Sequence, residues 1–173
     1  IAGLADIEYL TNENVFGLTS PPASMAIIGG GAIGCELAQA FAGFGVEVHL
    51  FESFGRLIAR EEPEASETIA RMLRDRGVAV HLSADIASVA GAREGGDGVT
   101  VVTAAGSVAV EQVLLATGRR PNSEDLGLEG LGVELDDRGH IDVDDRLSTA
   151  VRGVFAVGDV TGKLPFTHAA DEM

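Results

Sequence analysis

Gly29, Gly31 and Gly34 stand at GxGxxG spacing, and Glu52 follows about 20 residues past the second glycine. These residue types, so spaced, suit the binding of a diphosphate joined to a ribose. Gly29 lets the chain turn sharply without a Cβ clash. Gly31 has no side chain, so a phosphate can approach the backbone. Gly34 lets a new helix lie close to its strand. The amides of Gly31, Ala32, Ile33 and Gly34 would open that helix, with unpaired N–H groups and a partial positive charge facing an anion. Glu52 would accept hydrogen bonds from the adenosine ribose. Its negative charge would repel a 2′-phosphate, which favours NAD(H) over NADP(H), although Arg56 lies near enough to weaken that preference.

A GxGxxG run is informative only between a strand and a helix. Met25 to Ile28 is an apolar run that reads as a buried strand, and an apolar helical face of Ile33, Leu37, Phe41 and Phe44 follows. Val46 to Phe51 reads as a second strand that delivers Glu52 at its end. A second helix is expected from Glu64 to Arg76, with Ala65, Ile69, Met72 and Leu73 as its stripe and Gly77 as its stop. Val78 to Leu82 reads as a third strand. Successive βα units imply a parallel sheet with right-handed crossovers.

The pattern then shortens. Ile86 to Ala90, Val99 to Thr103 and Ser107 to Val110 read as a three-stranded antiparallel meander, with a turn over Arg93 to Gly98. Glu111 to Gly118 is a further apolar run that should rejoin the parallel sheet. The fold class is therefore α/β, a Rossmann-like NAD(P)H-binding domain over residues 25–117. Residues 1–24 are turn-rich and read as a connector. Residues 118–173 form a different region, with short strands at Val133–Leu135, His140–Val143 and Val154–Val157 and a helix beginning near Thr167.

Composition narrows the partners. The formal net charge is −15, and there is no basic run, so nucleic acid and anionic membrane surfaces are not expected partners. No apolar stretch approaches the roughly 20 residues needed to span a bilayer. Cys35 is the single cysteine, which fits a cytoplasmic setting without disulfides. It directly follows Gly34 in a helix that must pack on the sheet, so it reads as a buried apolar residue and not as a reactive thiolate. His49, His81, His140 and His168 do not sit at metal-ligand spacing, and no metal is expected. The acids Asp136, Asp137, Asp142, Asp144 and Asp145 lack the calcium-loop pattern and read as a solvated hairpin.

Three blocks in order carry a resemblance: Ile28 to Glu36, then Ala116-Thr-Gly-Arg-Arg-Pro-Asn122, then Thr149 with Gly153-Val-Phe-Ala-Val-Gly-Asp159. Together they resemble the FAD-dependent pyridine nucleotide–disulfide oxidoreductases, the family of dihydrolipoamide dehydrogenase, glutathione reductase and mercuric reductase. Thr11-Asn-Glu, Leu37 to Phe41 and Phe166-Thr-His168 look most like the mercuric reductase and dihydrolipoamide dehydrogenase branches.

The resemblance implies an inserted NAD(P)H domain flanked by partial FAD-domain segments, 1–24 and 118–173. It implies FAD as second cofactor, a disulfide or other small-molecule acceptor, and a homodimer for the whole enzyme. It places Glu36 near the nicotinamide and flavin, in a catalytic role. It places Gly118 at the crossing between domains and Asp159 on the FAD ribityl chain. Thr167, His168 and Ala169 match the helix start that faces the flavin. The family's CxxxxC redox pair and its dimerisation domain are not in this stretch. With no initiator Met, the chain reads as an excised piece that is itself inactive and associates through its uncovered apolar flanks. The rival reading is a nucleotide-binding module without redox chemistry, which would have no need of Gly158-Asp159.

Overall fold

The computed structural model describes residues 1–91, 98–163 and 167–173, the side chain of Thr167 excepted. The chain divides into two compact units, Ile1–Gly118 and Arg119–Met173. The expected turn over Arg93 to Gly98 lies outside the described residues, apart from Gly98.

In the first unit a parallel sheet is built from β1 (Ser24–Ile28), β2 (Glu47–Phe51), β3 (Ala79–His81) and β7 (Gln112–Leu115). Its order is β3-β2-β1-β7. β1 is therefore central, and its residues Met25, Ala26 and Ile27 have no exposed surface. A strand covered on both faces reads as a continuous apolar run, which is why Met25 to Ile28 shows no alternation. The two faces nonetheless separate by period two. Met25, Ile27, Val48, Leu50 and Leu114 pack against α1 (Ala32–Gly43) and α2 (Pro63–Asp75). Ala26, Ile28, Phe51 and Val113 pack against the antiparallel meander of β4 (Ile86–Gly91), β5 (Val99–Thr103) and β6 (Gly106–Val110). The unit thus has three layers: helices, parallel sheet and antiparallel sheet.

In both helices the buried face is rotated from the expected stripe and shares one large residue with it, Phe41 in α1 and Leu73 in α2. In α1 the buried residues are Gly34, Cys35, Ala38 and Phe41. Ile33 and Leu37 are only half-buried, and Phe44 is exposed beyond the helix end, edge-on to Phe41. Small residues at the contact let the helix approach β1 closely, so they take the central position. In α2 the buried set is Ser66, Ala70 and Leu73, while Ala65 is exposed.

Residues 1–24 pack into this unit. Leu10 donates its N–H to Val113 and accepts from Leu115, extending the sheet edge by one bridge. Val15 is buried in the helix-side core.

On the meander side of β2 and β3, His49 Nδ1 and His81 Nε2 lie 3.1 Å apart, and the His81 ring stacks on Phe51 at 4.4 Å. One proton serves both nitrogens. Burial and then the neighbouring His49 hold the His81 pKa below its ordinary 6.5. A depressed histidine pKa means that the unfolded chain binds more protons below pH 6.5, so stability falls as pH drops through that range. The thermal midpoint should be lower at pH 5.5 than at pH 7.5. A His81→Phe variant should show a smaller difference; an unchanged difference would refute this origin.

In the second unit, Val133, Ile141, Val143 and Ala156 form the core. α3 (Leu128–Leu131) is a single helical turn, and α4 (Thr167–Glu172) is the helix expected near Thr167. The three expected strands are reduced to single bridges, Leu135 to Ile141 and Ser148 to Phe155. Phe155 and Val157 remain exposed, and among the described residues no second strand runs along them. Local turns hold the backbone instead. Asp136 Oδ1 accepts the N–H groups of Arg138 and His140 at 2.8 Å. Asp144 Oδ1 does the same for Arg146 and Ser148.

Candidate functional site

The glycine corner sits at the carboxyl end of β1. Its neighbours there are β2 on one side and β7 on the other, which the chain reaches only after the whole meander. Strand order reverses at this point, and ligands of open α/β sheets bind beyond the strand ends at such a reversal.

Gly29 has φ 113, a conformation side chains rarely adopt. A Cβ there would lie 2.6 Å from the Ala116 carbonyl carbon and 2.9 Å from the Thr117 nitrogen. A Cβ on Gly34 would overlap the Gly29 carbonyl oxygen, so this glycine permits the close helix–strand approach. Gly31 is different: a Cβ there would meet nothing within 4 Å. It is the N-cap of α1, and no side chain caps the helix. The first intrahelical bond runs from Cys35 N–H to the Gly31 carbonyl, so the amides of Ala32, Ile33 and Gly34 have no intrahelical acceptor. Open space, bare amides and a helix dipole fit a dinucleotide diphosphate on this chain's own geometry.

Glu52 leaves the end of β2 and is 8% exposed. Its Oε2 accepts the Gly30 N–H at 2.6 Å. Its Oε1 accepts the Phe54 N–H at 2.9 Å and the Ser53 hydroxyl at 3.1 Å. An ionised carboxylate has about four acceptor positions. Three are filled, and the remaining one lies on Oε2, beside the glycine corner. The acid therefore braces the loop and keeps one acceptor position beside the glycine corner.

Gly30, which the motif leaves as a variable position, proves to be central. A Cβ on it would lie 2.6 Å from Leu57 Cδ2 and 2.9 Å from Glu52 Oε2. Its carbonyl accepts Ile58 N–H at 2.8 Å and Cys35 Sγ–H at 3.4 Å. Leu57 is fully buried, and Ser66 Oγ donates to its carbonyl at 2.7 Å, tying the loop after β2 to α2. Three consecutive glycines, one more than GxG requires, were the only sequence signal for this role. Arg56 turns onto its own loop, where Nη2 donates to the Ala59 carbonyl at 2.6 Å.

Cys35 is buried beneath this corner. Burial, and then the negative charges of Glu52 and Glu36, push its pKa up to about 11. At pH 8 roughly one molecule in a thousand carries the reactive thiolate. Iodoacetamide should therefore leave the folded chain unmodified at pH 8 and label it fully in denaturant. Rapid labelling of the folded chain would contradict the burial.

Glu36 is exposed in the second turn of α1. Gly118, with φ 152, closes the first unit. In the second unit, Asp159 pairs with Arg119, Oδ2 to Nη1 at 2.9 Å. It lies in the turn Gly158–Thr161 that packs against α4, where Gly158 N–H reaches Met173 Sδ at 3.4 Å. His168 is exposed and Ala169 half-buried on α4. The turn that carries Asp159 thus packs against α4, and a Cβ on Gly158 would lie 3.3 Å from Ala170 Cβ. Among the described residues no group of three or more His, Cys, Asp or Glu could hold a metal ion, and no helix is long and apolar enough to cross a membrane.

Residues 2–173 match the family model described as pyridine nucleotide-disulphide oxidoreductase. The chain belongs to that family. Dihydrolipoyl dehydrogenase of Geobacillus stearothermophilus is 36% identical over 165 residues, which cover 93% of this chain and 34% of that protein. The HOCl-induced flavoprotein disulfide reductase RclA of Escherichia coli superimposes with a TM-score of 0.92 at 33% identity, covering 99% of this chain and 39% of that one. An engineered water-forming NADPH oxidase, made from the Lactobacillus brevis NADH oxidase, superimposes with a TM-score of 0.71 at 29% identity, covering 80% of this chain and 30% of its own. This member of the oxidoreductase family therefore spans about a third of the length of its relatives.

Proposed function

We propose that the chain is the NAD(H)-binding part of a flavoprotein that takes hydride from NADH onto FAD and passes electrons to a disulfide or related small-molecule acceptor. The observation that carries the nucleotide reading is Glu52 Oε2 beside Gly30, 2.6 Å from its amide, at the same sheet edge as the bare amides of α1. The amides of Ala32, Ile33 and Gly34 hold the diphosphate, Glu52 takes the adenosine ribose, and Glu36 stands toward the nicotinamide end. The flavin, when bound, supplies the two-electron redox chemistry. Toward it, Asp159 would hold the ribityl chain, and Thr167, His168 and Ala169 would set helix-start amides near the ring. Residues 1–24 and 118–173 belong to the FAD domain in this reading, and the whole protein is a cytoplasmic homodimer.

The charge of Glu52 sets the preference for NADH. The engineered NADPH oxidase supports this: its substitutions include a Gly→Ala and, 18 positions later, an Asp→Ala followed at once by an Ala→Arg. Here Glu52 stands 18 residues after Gly34 and is followed by Ser53. Calorimetry on this chain should give tighter binding of NADH than of NADPH; the reverse order would overturn the preference. The whole protein should purify with a yellow flavin chromophore, and a colourless whole protein would favour a nucleotide-binding module without redox chemistry.

A further inference from the structure

We propose that the Phe54 ring is a stacking platform for the adenine base of the bound dinucleotide. This rests on the NAD(H) reading above. Phe54 lies two residues beyond Glu52, and 64% of its surface is exposed. Its backbone is held on both sides. The N–H donates to Glu52 Oε1 at 2.9 Å, and the carbonyl accepts the Ser83 N–H at 2.9 Å. Ser83 is itself in the left-handed region, with φ 51, so the turn that meets Phe54 is a specialised one. A large apolar ring is thus anchored at its root and presented to solvent, and among the described residues it makes no ring contact.

A ribose held through its hydroxyls at Glu52 carries the base on the adjacent carbon, so the base falls among the side chains just past the acid. Ser53 donates to the Glu52 carboxylate, Arg56 Nη2 donates to the Ala59 carbonyl while its Nη1 is buried without a partner among the described residues, and Leu57 is fully buried. Gly55 has no side chain to shield the ring. Phe54 alone offers a free flat apolar face. Stacking on an aromatic side chain is tolerant of base identity, because every base has a π-face. The platform therefore adds affinity for the adenosine half of the cofactor and none for the nicotinamide half.

The chain contains no tryptophan. Phe54→Trp therefore installs a single reporter at the site. ADP-ribose and NAD+ should both quench its emission, and nicotinamide mononucleotide should not. Phe54→Ala should weaken ADP-ribose and NAD+ by the same factor, about 10-fold, with an unchanged unfolding midpoint. The platform is overturned if the unaltered chain binds NAD+ by calorimetry while the tryptophan stays silent and Phe54→Ala binds equally well. If the unaltered chain binds neither NAD+ nor ADP-ribose, the dinucleotide reading fails first, and the platform with it.

Discussion

Gly29→Ala should strongly destabilise the first unit, while Gly31→Ala should leave its stability nearly unchanged and weaken its dinucleotide affinity. Two glycines of one motif, two residues apart, separate because they do different physical work. At Gly29 the backbone has φ 113, and an added Cβ would meet the backbone of Ala116 and Thr117. Those atoms belong to the connection that leaves β7, the strand paired with β1, so they cannot give way without breaking the sheet. The cost is about 3 kcal/mol or more, at the upper end for single substitutions. Gly31 has φ −73, which alanine adopts freely, and its Cβ would project into open space. The loss of an N-cap glycine costs less than about 1 kcal/mol. The space is open because a phosphate is meant to approach it, so the methyl group should lower NADH affinity at least about 10-fold. Urea unfolding and calorimetric titration of the two variants read both effects. A Gly31→Ala chain that binds NADH as tightly as the unaltered chain would remove the diphosphate from this corner.

Glu52→Gln carries the second large effect. Its two oxygens meet three donors: Gly30 N–H, Phe54 N–H and the Ser53 hydroxyl. A glutamine must turn its NH2 toward one side or the other, and a backbone donor then faces a donor. Leaving one buried amide unpaired costs about 1–3 kcal/mol. The same substitution removes a charged acceptor from the ribose, worth about 1.5–3 kcal/mol, or roughly 10- to 100-fold in NADH affinity. It also removes the repulsion of a 2′-phosphate, so the preference for NADH over NADPH should shrink. If the variant unfolds at the same urea concentration and discriminates as before, Glu52 neither braces the loop nor reads the sugar.

The main frame of the first unit was legible because its signals are local. An apolar run of four residues marked β1, an alternating run ending in Leu50 and Phe51 marked β2, and short runs between turns marked the meander. The buried helix faces were misread for one reason. Hydrophobic periodicity weighs large residues, but the residue at the closest helix–strand contact is chosen for smallness, hence Gly34, Cys35 and Ala38 in α1 and Ser66 and Ala70 in α2. In the second unit Val154 to Val157 looked like a strand, yet a strand needs a partner along its length, and among the described residues only the bridge from Ser148 to Phe155 supplies one.

For the site, sequence alone determined the glycine turn, the helix that follows it and an acid at the end of the next strand, since each follows from residue type at fixed spacing. Tertiary structure alone decided what that acid touches. Glu52 meets Gly30, whose carbonyl accepts from Ile58 and whose missing Cβ leaves room for Leu57, itself tied to Ser66; these residues come from three stretches of chain, and no period or motif links them. Backbone amides and carbonyls make most of these contacts. Every residue carries them, so their partners become visible only when the chain has closed on itself.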